Sequence, residues 1–170
     1  MSTATATQPL HDALAGYAPD GERPLGAYAG LASTYVLGAV AAAAGLRASG
    51  RELPERPAIA DIVVAGIATH KISRLLTKDK VTAFIRAPFT RFQEPSGHGE
   101  VEEAPRGEGA RYAVGELLVC PYCVAQWIAA GYMVGLIAAP RVTRTIGSVY
   151  AAQTISDFLQ LAYKAAEDRA

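Results

Sequence analysis

The chain has 170 residues, enough for one domain with an appended tail. Hydrophobic residues make up 51% and charged residues 19%, below the roughly 25% usual for soluble domains. Sixteen basic residues balance 16 acidic ones, so the excess of cations that nucleic acid demands of a partner is missing; two cysteines are too few for a disulfide scaffold.

Residues 1–24, MSTATATQPLHDALAGYAPDGERP, read as a polar N-terminal tail. They lack the early basic region of a secretory signal. From Leu25 to Leu46 the chain then runs 22 residues without a charge. At about 1.5 Å per residue that is roughly 33 Å of helix, enough for a bilayer core. Gly26 and Gly30 have the spacing of a close helix contact.

Residues 57–76, PAIADIVVAGIATHKISRLL, predict a second helix, opened by Pro57 with Asp61 in its first turns. A third apolar run, 119–139, is free of charge and stops at Pro140 and Arg141. A fourth segment, 142–163, holds Arg144 near its start and Asp157 deep inside. The second and fourth segments read either as spans that turn polar faces into a bundle or as amphipathic helices at the interface; spanning is the favoured reading. The expected fold is therefore all-α: a small polytopic membrane protein whose helical domain, 25–170, has four transmembrane helices over 25–46, 57–76, 119–139 and 142–163.

Four spans put both termini and the segment 77–116 on one side. That side holds eleven of the 16 Lys and Arg residues, which predicts cytoplasmic termini in a bacterial cytoplasmic membrane. Forty residues exceed an ordinary connector. The first part, DKVTAFIRAPFTRF, mixes Lys78, Lys80, Arg86 and Arg91 with Val81, Phe84, Ile85, Phe89 and Phe92. Such a mixture suits an interfacial segment, with anionic lipid headgroups as the partner of residues 78–92. The second part, QEPSGHGEVEEAPRGEGA, is expected to be exposed and irregular, with Glu102 and Glu103 as a solvated charge run.

Both cysteines fall in Cys120-Pro121-Tyr122-Cys123, at the start of the third span. Three readings compete. A dithiol at a helix N-terminus has a lowered thiol pKa and suits redox chemistry, although no second pair exists to pass electrons on. Two thiolates with two further donors make a zinc site, for which His98, His70, Glu116 and Asp157 are available. Small residues packing a helix start, with Pro121 harmless in the first turn, need no chemistry at all. A cytoplasmic location keeps the pair reduced and makes a permanent disulfide improbable.

An ionised Asp at the bilayer centre costs about 2.5–3.5 kcal/mol, so Asp61 and Asp157 are expected to face partners such as His70, Lys71 or Arg74. No phosphate-binding loop, metalloprotease motif or nucleophile elbow is present.

The blocks KISRLLTKDKVTAFIRAPFTRF, GEVEEAPRGEGARYAVGELLVCPYCVAQW and SDFLQLAY occur in an order that resembles a small bacterial membrane family of unknown function, found in bacilli and actinomycetes. One member group of that family carries a sporulation label. The resemblance covers about residues 58–165 and implies an integral membrane protein without an established reaction.

Two functions are expected from these features. The first is a membrane factor that binds a protein partner or forms a homo-oligomer. The second is a membrane enzyme using Cys120 and Cys123 with Asp157 or His70 as catalytic residues, or Cys120, Cys123 and His98 as ligands of a zinc ion.

Overall fold

The computed structural model describes Tyr17 and residues 23–169. The predicted tail therefore lies almost wholly outside the described residues. Six α-helices and one hairpin follow in the order α1 Leu25–Ala48, α2 Ile59–Thr77, a 3-10 turn Lys80–Thr82, α3 Ala83–Arg86, β1 Thr90–Gly97, β2 Glu100–Pro105, α4 Gly109–Val119, α5 Pro121–Ala138 and α6 Pro140–Glu167.

Proline and caps set most boundaries. Ala58, extended at φ −64° and ψ 137°, follows Pro57 and admits the chain to α2, with Asp61 in the first turn facing the positive end of the helix dipole. Pro121 and Pro140 each occupy the first turn of a helix, where a missing N–H costs nothing. As a result α4 and α5 are parted only by Cys120, and α5 and α6 only by Ala139.

α2 lies at the centre and packs on both α5 and α6. Ala65, Ala68 and Tyr132 form the core, flanked by Ile72, Leu136 and Tyr150. Small residues allow this closeness. A Cβ built on Gly147 would stand 2.8 Å from the Tyr132 Cζ, and one on Gly135 would stand 2.8 Å from the Thr143 hydroxyl. Gly26 and Gly30, expected at a helix contact, have nothing within 4 Å of such an atom and face outward from α1. α1 is joined to the rest by an edge-to-face pair of Tyr35 and Trp127, centroids 5.1 Å apart, and by contacts near its start.

The all-α expectation is corrected by the hairpin. Residues 90–105, predicted to be irregular beyond Phe92, form an antiparallel pair from Thr90–Pro105 to Gly97–Glu100. The turn is His98–Gly99, with φ of 43° and 84°, the two left-handed residues that a type I′ turn requires. Pro95 is tolerated because it sits at one of two register shifts in an exposed strand.

Polar contacts fix which ends meet. Asp61 and Arg144 join the starts of α2 and α6, and Lys71 and Asp157 join them further along, so the two helices run in the same direction. Arg51, between α1 and α2, donates to the Ile137 carbonyl at 2.8 Å near the end of α5. At the other end Glu116 of α4 accepts from Arg23 at 3.0 Å and from the Tyr28 hydroxyl. The hairpin, the cysteine turn and the ends of α2 and α6 thus share one end of the bundle.

Candidate functional site

Three acidic residues of β2 hold the hairpin to the end of α2 and to α3. Glu100 takes a two-pronged contact from Arg74, at 3.0 Å from Nε and 2.5 Å from Nη2. Glu102 accepts from Lys78 at 2.7 Å. Glu103 accepts from Arg86, whose side chain is 0% exposed against 5% for the carboxylate. Arg86 also donates to the Leu76 and Asp79 carbonyls, at 2.9 and 3.0 Å, and to the Thr82 hydroxyl at 2.8 Å. A guanidinium taken fully out of water needs this many acceptors. The solvated charge run expected at Glu102-Glu103 is therefore a structural clamp. The Lys78 ammonium also holds the Glu102 carboxyl below the usual carboxylate range.

Between this clamp and α6 opens a cleft of about 480 Å³. Exposed His98 and Lys164 and buried Thr154 all contribute to its lining. His70, Lys71 and Arg74 line the α2 wall, and Asp157, Phe158 and Leu161 line the α6 wall. The Lys71 ammonium donates to Asp157 at 2.6 Å, and the His70 ring stacks on Phe158 with centroids 6.4 Å apart. The tight turn at Gly97-His98-Gly99 is what swings His98 to the cleft.

The cysteines do not line this cleft. Cys120 and Cys123 stand as a pair at disulfide distance, with Cα atoms 5.3 Å apart. The local reason is geometric: Cys120 caps α5, its sulfur accepting the Cys123 N–H at 3.2 Å, so the helix start itself sets the two sulfurs side by side. Tyr122, 89% exposed, projects from the same turn.

The structure thus assembles three of the sequence candidates, His70, His98 and Asp157, and leaves Cys120 and Cys123 apart from them. Among the described residues no group of three or more His, Cys, Asp or Glu side chains is placed to hold a metal ion. Glu116, one of the available zinc donors, is engaged by Arg23 and Tyr28. Lys164 and Thr154 were not singled out from sequence; the signal for Lys164 was its place one helical step beyond the apolar face of Phe158 and Leu161.

Fold and site together define a small, mostly helical protein that pairs its charges between elements and gathers a basic cleft, a hairpin and a cysteine turn at one end. Two of its helices, α1 and α5, are long and apolar enough to cross a membrane. The chain belongs to the family described as Protein of unknown function (DUF1360), whose model matches residues 64–163. It is similar to the Sporulation protein YjcA of Bacillus subtilis (strain 168), 33% identical over 76 residues, 43% of this chain and 64% of that protein. It is also similar to the UPF0713 protein YngL of the same organism, 29% identical over 79 residues, 45% of this chain and 57% of that protein. The chain thus spans under two thirds of the length of these curated relatives. No solved structure matches it. The family match begins inside α2 and leaves out α1, the helix least packed against the others.

Proposed function

We propose that this is a multi-pass protein of the bacterial cytoplasmic membrane. Helices α1, α2, α5 and α6 are its four spans, the termini and hairpin are cytoplasmic, and its role is to bind a partner protein or a second copy of itself rather than to catalyse a reaction. The observation that carries the reading is an inversion of the usual soluble pattern. Val36, Leu37 and Val40 of α1, Ile62 and Val63 of α2, and Val149, Ile155 and Leu159 of α6 are exposed. Meanwhile Asp61, Lys71, Arg74, Arg144 and Asp157 each have an oppositely charged partner on another element. Lipid tails suit the first set and penalise only unpaired members of the second.

The basic-aromatic segment supports the same placement. Val81, Phe84 and Phe92 are exposed, Phe84 by 74%, beside Lys80 and Arg91, a composition suited to anionic headgroups. One relative carries a sporulation name, which makes a membrane event of cell differentiation the first process in which to look for a partner.

The test uses a variant with both cysteines replaced by Ser and single cysteines returned at Leu53 or Phe84. The expected result is resistance to alkaline carbonate extraction, labelling of L53C by an impermeant maleimide from outside, and labelling of F84C only after lysis. Extraction by carbonate would overturn the membrane reading, and the reverse labelling would overturn the orientation.

The enzymatic reading rests on one observation, the disulfide turn beside the exposed Tyr122. In that reading Cys120 and Cys123 exchange with a partner's thiols at the membrane surface. Replacement of both cysteines by Ser without effect on the host phenotype would remove it.

A further inference from the structure

We propose that the cleft between α2, α6 and the hairpin turn binds a phosphate-bearing anion, presented either as a free phosphate or as a phospholipid headgroup. Lys71, Arg74 and Lys164 bring three fixed cations to the cleft, and Glu100 and Asp157 bring two carboxylates. Both carboxylates are already occupied, by Arg74 and by Lys71. The excess falls to Lys164, which lines the cleft together with His98 and has no carboxylate partner among the described residues.

The setting of His98 is informative. Its φ of 43° is a backbone conformation that residues other than Gly rarely adopt, and it lies between Gly97 and Gly99 at φ 79° and 84°. A turn that needed only its shape would be served as well by Asn or Gly at this place. The turn instead carries an imidazole into the lining of the cleft, which His70 and Lys164 also form. Strain tolerated at a position that delivers a donor is the pattern of a binding site.

The α6 wall of the cleft is mixed in polarity. From Lys164 to Thr154 is ten residues of α6, about 15 Å. Over that distance the lining alternates the exposed apolar Leu161 and Phe158 with Gln160 and the paired Asp157. A volume of about 480 Å³ lies within the usual range for small-ligand sites. The ends of α2 and α6 carry partial negative charge, but that effect fades within a turn, and Arg74 and Lys164 stand in those last turns.

The experiment uses the full chain with isotope-labelled histidine rings, assigned by substitution, and reads the ring signals of His70 and His98. Three samples are compared. They are detergent micelles titrated with inorganic phosphate, nanodiscs of phosphatidylcholine alone, and nanodiscs of phosphatidylcholine with phosphatidylglycerol. Movement of both ring signals with phosphate supports the site for a free phosphate, and movement only with phosphatidylglycerol supports it for a headgroup. The variant K164Q, which breaks no ion pair among the described residues, combined with H98N, which keeps a residue that tolerates positive φ, is expected to weaken the response read at His70 about tenfold. No movement in any sample, or an undiminished response in the double variant, overturns the proposal. The phosphate arm needs no bilayer. A protein that carbonate extracts yet responds to phosphate would sink the membrane reading and keep the cleft.

Discussion

Asp61 in the first turn of α2 and Arg144 early in α6 meet through two parallel hydrogen bonds, 2.9 Å from Nε and 2.7 Å from Nη2. This fork geometry belongs to arginine and is not reproduced by lysine. D61N and R144Q are each expected to lower the thermal midpoint in detergent, and R144K should recover only part of the loss. The charge-reversed pair D61R/R144D should recover more than either of its single parents. A D61N protein that melts with the wild type would show that the pair is ornamental.

Arg86 and Glu103 are the most deeply buried ion pair, and their prediction is steeper. R86M leaves a carboxylate at 5% exposure without its cation and takes a donor from the Leu76 and Asp79 carbonyls, of which Asp79 keeps the Thr82 hydroxyl, and should cost about 3–5 kcal/mol. E103Q keeps an acceptor for the guanidinium and should cost less, about 1–3 kcal/mol. Unfolding titrations of the two variants check the order. Equal losses would mean that Arg86 acts through Glu103 alone.

These two pairs show how unevenly the structure was legible in the sequence. Of the long helices, α1 and α5 were visible as apolar runs of bilayer length, and α2 and α6 as mixed segments opened by a proline or bounded by one, signals carried by adjacent residues. The hairpin was hidden for two reasons. Its turn uses Gly-His-Gly where Asn-Gly is the common signal, and β1 is exposed along most of its length, so it lacks the alternation of a half-buried strand. The role of Glu102 and Glu103 was hidden because their cations lie 24 and 17 residues earlier, and in sequence an acid without a neighbouring base looks solvated. His70, His98 and Asp157 were each chosen on chemical grounds. That they share one cleft depends on where α6 returns beside α2, which no local pattern records. For the cysteines, reasoning from compartment favoured thiols, whereas the helix start sets the sulfurs together.

Gly147 gives a test of packing without charge. A methyl group there meets the Tyr132 hydroxyl and stands 2.8 Å from Cζ, so G147A should destabilise by about 1–3 kcal/mol. Y132F should relieve part of that cost in the double variant. G26A, on the open face of α1, should leave the unfolding curve in place. If G147A and G26A behaved alike, α5 and α6 would not be as close as described.

Glu102 supplies the pH dependence. Its carboxyl is held below the ordinary range by Lys78, so protons bind it less readily in the folded state than in the unfolded one. The stabilisation is complete above the unfolded pKa and is lost as pH falls through the folded value. The carboxylate is 43% exposed, so the effect should be modest and should weaken with salt. Protection factors of the hairpin amides, taken relative to the slower intrinsic exchange in acid, should fall on acidification, and K78Q should flatten that fall. A hairpin equally protected in K78Q at every pH would rule the pair out as its clamp.

The cysteine turn closes a ring of only four residues, so removing the disulfide should cost at most about 2 kcal/mol. Maleimide should fail to label the protein until a reductant is added, and should then label both thiols. Labelling without reductant would mean that the pair is open in the native protein.

If the chain is the four-span protein proposed above, the two rungs between α2 and α6 also constrain how it is put into a bilayer. Ribosomes deliver α2 long before α6, and until the last helix emerges Asp61 and Lys71 have no counter-ions. Lys71, nearer the middle of α2 than Asp61, meets more of a penalty that reaches about 2.5–3.5 kcal/mol at a helix centre. In the membrane reading, α2 therefore waits at the interface after synthesis and moves inward only when α6 arrives. Insertion of the second helix is then a post-translational event, timed by the last one made.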